Sequence, residues 1–266
     1  MIRVVYLTLS LAITGFSYNT TGSKPIKVAI VDSGFDFDSE WKDAEKKGLK
    51  KPKLCKDGHK DFTKKGIKDN HGHGTHIAGL IAKYAENSSY CLVIVKQYSS
   101  KNTGEENLKT SIEAFEYLNT IDIDLINVSG GGPGFSYKEY AAIKNLLDKG
   151  VIIVAAAGNE SEKIENHVLK VSKSILYIQR NSGKIITKKP TNMFYPAAYD
   201  PRIISVQSVD KFGHLMKSSN YGPAMLAEEL GLNVLSLLPN NKYGYFSGTS
   251  QSTAIKTGKI IKMWQR

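Results

Sequence analysis

The chain has 266 residues, enough for one large domain with a sizeable core. It is 41% hydrophobic and 23% charged, which is ordinary for a globular protein. The formal net charge of +11 resides in lysine clusters such as Lys46-Lys47, Lys50-Lys51 and Lys64-Lys65; set in polar, turn-rich stretches without interleaved aromatics, they describe a solvated surface and exclude a nucleic-acid groove.

At the N-terminus, Met1-Ile2-Arg3 places a charge before the apolar run Val4 to Ile13, with Gly15-Phe16-Ser17 beyond it. The run is shorter than the roughly 20 residues of a membrane span, and charge followed by a short apolar stretch is the pattern of a secretory signal segment. Residues 1–22 are therefore expected to direct export without stable membrane insertion, and residues 23–266 to form one domain; a buried first strand is the competing reading. Ile26 to Val31 is a continuous apolar run suited to a strand buried on both faces. Thr75 to Tyr84 predicts a helix, Cys91 to Val95 a buried strand, Glu105 to Leu118 a helix and Asp124 to Val128 a strand. Tyr137 to Lys149 predicts a helix stopped by Gly150. Val151 to Ala156 and Ile203 to Val209 predict strands, and Ser250 to Trp264 a closing helix. Glu160 to Pro196 breaks the rhythm: Ser174–Arg180 and Lys184–Thr187 around Asn181-Ser182-Gly183 predict a hairpin.

Strand–helix alternation predicts an α/β fold, a doubly wound and mostly parallel β-sheet flanked by helices. Function in such sheets gathers at the carboxyl ends of the strands. Asp32, Ser129 and Asn159 all fall at or just beyond such ends. The two cysteines, Cys55 and Cys91, are either paired, as export permits, or two free buried thiols.

Three segments each present one group of a Ser-His-Asp set, in the order Asp, His, Ser. Asp32 ends a strand, where its carboxylate suits an imidazole N–H; the rival reading is a nucleophilic aspartate of a magnesium-dependent phosphohydrolase, with Asp36 and Asp38 nearby. His73, flanked by Gly72 and Gly74, has an accessible ring, as a base requires. His71, His73 and His76 also resemble a metal cluster, but no Cys or Glu stands at a familiar fourth-ligand spacing. Ser250 follows Gly248-Thr249 and opens a helix, either as a nucleophile favoured by the helix dipole or simply as a helix cap. Ser129-Gly130-Gly131 offers a side-chain-poor edge for strand addition by an extended peptide. Asn159, after an apolar strand, offers an amide donor for an oxyanion.

At Val31-Asp32-Ser33-Gly34, His73-Gly74-Thr75-His76-Ile77-Ala78-Gly79, Ala156-Ala157-Gly158-Asn159 and Gly248-Thr249-Ser250 the chain resembles the subtilisin-like serine proteases. The likeness extends from about Pro25 to Gly258, through Asn127-Val128-Ser129, Tyr195 to Tyr199 and Ser218 to Pro223. It implies a C-terminally shortened subtilisin-like fold and a secreted endopeptidase acting on protein or peptide substrates. It makes Ser250 the nucleophile, His73 the general base and acid, and Asp32 its orienter. Asn159 becomes the oxyanion donor, and Ser129, Gly130 and Gly131 become one edge of the substrate cleft. The resemblance places Lys53-Leu54-Cys55 beside Cys91-Leu92-Val93 and so implies a Cys55–Cys91 disulfide. No cofactor is implied, and no metal, since Tyr84 to Tyr90 is too short for the family's calcium loop. Gln251 and Ala254 depart from the family's usual residues at the start of the closing helix. With no room expected for a pro-domain, either the chain folds unaided or a chaperone or inhibitor acts in trans. A catalytically impaired relative serving as a binding module is the alternative.

Overall fold

The computed structural model describes residues 24–164 and 193–264. The expected export segment, residues 1–22, and the expected hairpin around residues 174–187 lie outside them.

Among the described residues the elements in chain order are β1 (Ile26–Asp32), α1 (Lys42–Glu45), β2 (Lys60–Asp61), α2 (His73–Tyr84), β3 (Tyr90–Lys96), α3 (Gly104–Leu118), β4 (Leu125–Val128), α4 (Tyr137–Asp148), β5 (Ile152–Ala156), β6 (Ile204–Val209), β7 (Ala227–Leu230), β8 (Val234–Leu238), β9 (Lys242–Phe246) and α5 (Thr249–Trp264). Seven strands form one sheet in the order β2-β3-β1-β4-β5-β6-β7, every neighbouring pair parallel. The strands β8 and β9 make a separate antiparallel pair. Chain order reverses around β1, which has β3 on one side and β4 on the other, so the crevice of a doubly wound sheet opens at the carboxyl end of β1.

The continuous apolar run of β1 is explained by burial on both faces. Val28 and Ile30 join Ile77, Ile81, Ile255 and Ile261 in one core, under α2 and α5. Ala29 and Val31 join Phe115, Leu118, Ile143 and Leu146 in a second core, under α3 and α4. With a side-chain period of two, neither face can be polar. Each fully buried Ile or Leu adds about 1.5–3 kcal/mol, so this sheet is a rigid base for groups at its edge.

Helix starts are set by local chemistry. Thr103 and Glu106 form a reciprocal capping box on α3, and Ser136 caps α4 through Glu139 N. The helix α2 begins at His73, two residues before the expected Thr75, because Gly72 adopts a left-handed φ of 94° and the carboxylate of Asp69, shortly before it in the chain, binds the free N–H groups. The helix α5 begins at Thr249, so Ser250 lies within its first turn and is not its cap. Gln251 and Ala254, where the chain departs from the subtilisin-like pattern, are both buried inside that helix.

Leu54 bridges to Leu92, and Cys55 N–H donates to the Leu92 carbonyl at 3.0 Å. Cys55 and Cys91 are joined by a disulfide, with Cα atoms 4.8 Å apart. No helix among the described residues is long and apolar enough to cross a membrane.

Candidate active site

The strand β1 delivers Asp32 to the crevice, and α2 delivers His73 opposite it. The buried Asp32 carboxylate meets His73 Nδ1 with both oxygens, at 2.8 and 3.0 Å. A carboxylate only accepts, so Nδ1 carries the hydrogen and Nε2 is left free as a base. Ser33 N–H donates to Asp32 Oδ1 at 2.7 Å and holds the carboxylate in place. Burial opposes charge on His73, but the charge and hydrogen bond of Asp32, with the charge of Asp69, raise its pKa above the usual imidazole value.

Asp69 anchors this half of the site. Its Oδ1 accepts from Ser33 Oγ at 3.0 Å, His71 N at 3.0 Å and Gly72 N at 2.8 Å. Its Oδ2 accepts from Thr75 N at 2.9 Å and Thr75 Oγ1 at 2.7 Å. Ser33 Oγ in turn accepts from Gly74 N at 2.9 Å. One buried carboxylate thus satisfies free amides of α2 and ties them to the turn after Asp32. The approach is close: a Cβ on Gly74 would stand 2.2 Å from the Gly34 carbonyl oxygen. Asp69 belongs to none of the motifs, although an acceptor shortly before a helix start is a capping pattern.

His76, one turn after His73, is fully buried and stacked on Phe246, with ring centroids 4.5 Å apart. Burial depresses its pKa to about 4, so it is a neutral structural ring. Among the described residues no His, Cys, Asp or Glu group could hold a metal ion.

The Ser250 hydroxyl lies on the other side of the crevice. It donates to the Ser129 carbonyl at 2.8 Å, and among the described residues it makes no hydrogen bond to His73. Ser129 Oγ donates back to the Ser250 carbonyl at 3.0 Å and accepts from Asn127 Nδ2 at 2.9 Å. Thr257 Oγ1 donates to Asn127 Oδ1, closing a buried ladder between β4 and α5. Asn159 is exposed just beyond β5, and its Oδ1 accepts from Thr249 N at 3.0 Å. That bond commits the oxygen and leaves Nδ2 as the donor facing solvent. Asn220 holds the loop: it donates to the Ala157 carbonyl and accepts from Glu160 N and Glu162 N.

A cavity of about 730 Å³ runs from Asp32 and His73 past Ser129, Gly130 and Gly131 to α3 and α4. Gly131 is pressed against the Tyr195 carbonyl, where a Cβ would approach to 2.1 Å, while nothing stands over Gly130. The Ser129–Gly131 segment therefore presents open backbone along one wall. The structure brings Asp32 and His73 into contact, and it sets Ser250 against Ser129 at the same end of the sheet.

A family model described as the subtilase family matches residues 23–266. The major intracellular serine protease of Bacillus subtilis (strain 168) is 31% identical over 250 residues, covering 89% of this chain and 67% of that protein. Subtilisin E of the same organism is 30% identical over 251 residues, covering 89% of this chain but only 54% of its own length. Among solved structures, a cold-adapted subtilisin-like serine proteinase matches with a TM-score of 0.66 at 20% identity, over 91% of this chain and 76% of its own. The nisin leader peptidase NisP from Lactococcus lactis matches with a TM-score of 0.63 at 18% identity, over 92% of this chain and 79% of its own. At these identities the solved structures speak for the fold alone.

Proposed function

This chain belongs to the subtilase family and is a hydrolase acting on peptide bonds; on that premise we propose that it is an exported endopeptidase working through an acyl-enzyme on Ser250. The observation that carries the reading is the two-oxygen contact of Asp32 with His73 Nδ1, which leaves Nε2 poised as a base. The reading requires the Ser250 hydroxyl to leave the Ser129 carbonyl for that nitrogen. Hydroxyl bonds in unliganded sites are often long or misdirected and tighten with substrate.

In the reading, His73 takes the Ser250 proton as Oγ attacks the scissile carbonyl, and Asp32 stabilises the imidazolium. Asn159 Nδ2 and the Ser250 backbone N–H, which lies in the first turn of α5 without an intrahelical acceptor, receive the oxyanion. His73 then returns the proton to the departing amine, and water repeats the sequence to release the acid. The open backbone of Ser129–Gly131 pairs with an extended peptide by strand addition.

The test is covalent labelling with a fluorophosphonate. Wild type is expected to label and Ser250→Ala is not; a folded wild type that stays unlabelled overturns the reading. Export is supported by the Cys55–Cys91 disulfide, a bond that oxidising compartments favour. It predicts that protein recovered outside the cell begins near residue 23, which N-terminal sequencing decides.

A further inference from the structure

In a chain of net charge +11, the cavity beside His73 is lined, among the described residues, by three carboxylates, Asp32, Glu105 and Glu139, and by no lysine or arginine. Asp32 is committed to His73, but the two glutamates stand apart from it, in the lobe between α3 and α4. Glu105 is exposed in the first turn of α3. Glu139 is 5% exposed, and its oxygens accept from the Ser111 and Tyr199 hydroxyls. Each carboxylate oxygen takes two hydrogen bonds, so both retain a free acceptor site. Among the described residues no cation pairs with Glu139, and burial raises its pKa against the pull of the two hydroxyls.

A second, separate observation concerns Tyr195. It lines the same cavity, is 3% exposed, and its buried hydroxyl has no hydrogen-bond partner. An orphaned buried hydroxyl costs about 1–3 kcal/mol until something satisfies it.

Building on the peptidase reading, we infer that this lobe is a side-chain subsite selecting a basic residue, arginine above all, at one position of an extended substrate away from the scissile bond. A guanidinium presents five N–H donors in one plane and accepts nothing. It matches the free acceptor sites of Glu139, Tyr195 borders the same wall with its hydroxyl unsatisfied, and Glu105 adds attraction at the mouth. Leu108 and Val128, also in the wall, pack the apolar stem.

The test uses internally quenched peptides in which each position in turn carries arginine or its neutral isostere citrulline. Wild type is expected to prefer arginine by about tenfold or more in kcat/KM at one position, the scale of one charge-assisted hydrogen bond. Glu139→Gln is expected to bring that ratio to within about twofold, and Glu105→Gln to lower it less, as screening at an exposed site requires. Circular dichroism reports whether Glu139→Gln folds; if it does not, the wild-type ratio and its change in the exposed Glu105→Gln variant decide. Wild type that reacts with a fluorophosphonate yet shows no arginine preference overturns this inference alone. A preference undiminished in folded Glu139→Gln overturns it too. Wild type that does not react overturns the peptidase reading and this subsite with it.

Discussion

The two sides of the crevice are held in different ways. On the Asp32–His73 side, the carboxylates of Asp32 and Asp69 bind the Ser33 turn and the first turn of α2 through a closed set of short hydrogen bonds. On the Ser250–Asn159 side the backbone is equally well tied, through Ser129, Asn127 and Thr249. There, however, the two polar groups proposed for chemistry end in a rotatable hydroxyl parked on a carbonyl and an amide facing solvent. The proposed base and its orienter are preorganised, while the proposed nucleophile rests on another partner. Leaving the Ser129 carbonyl gives up one hydrogen bond, net about 0.5–1.5 kcal/mol, an amount that docking of a peptide readily offsets.

Substitutions separate the two sides. The largest expected effect is that of Ser250→Ala, which should lower kcat/KM by about 10⁴-fold or more while shifting Tm little, since only one part-buried hydrogen bond is lost. Asp32→Asn should lower kcat by about 10⁴-fold, because the amide favours the wrong His73 tautomer. It should also move the acid limb of activity. With His73 as the proposed base, wild-type activity should rise with pH through a value above the ordinary 6.5 as the ring loses its proton; in Asp32→Asn the limb should fall to lower pH. Stability runs the other way. A raised folded pKa adds stability that is fully present below the unfolded value near 6.5 and lost as pH rises through the folded value. The difference in Tm between wild type and Asp32→Asn should therefore shrink as pH increases through that window.

Asn159→Leu should lower kcat by about 10²–10³-fold with KM nearly unchanged, if the amide acts only on the developing oxyanion. An equal loss in KM would assign it to ground-state binding instead. Asp69→Ala should destabilise the fold by about 2–3 kcal/mol in urea titration, as several buried donors lose their acceptor. Its loss of activity should track disorder at the start of α2. Smallest is Ser129→Ala, expected to cost about 1 kcal/mol and a few-fold in kcat, because it removes one strut under Ser250 and leaves the backbone carbonyl. A large fall in Ser129→Ala would erase the contrast between the two sides.

Much of the scaffold was legible because it rests on local pattern. The expected strands Ile26 to Val31 and Val151 to Ala156 are Ile26–Asp32 and Ile152–Ala156 in the structure, because both faces of a central parallel strand must be apolar. The strands β7, β8 and β9 were not anticipated. Ala227–Leu230 carries Glu228 and Glu229 at the sheet edge, where no apolar run is needed. The β8–β9 connection turns on Asn240 and Asn241, both at positive φ, an Asn-rich turn pattern that was open to reading. Tyr195 falls in the family-like stretch Tyr195 to Tyr199 without a role attached, and Glu139 and Glu105 carry no motif, since a cavity wall is drawn from elements far apart in sequence.

The sequence by itself determined the fold class and the family, because strand periodicity and four short motifs are properties of contiguous residues. It also singled out Asp32, His73, Ser250 and Asn159 as candidates by residue type and by their place at element ends. Only the tertiary structure decided that Asp69 ties the start of α2 to the turn at Ser33, that Ser250 rests on Ser129, and that carboxylates gather in one lobe of a basic chain. Asp69 lies 36 residues from Ser33 and Ser250 lies 121 from Ser129, separations closed by how the helices pack on the two faces of the sheet and encoded in no single stretch of the chain.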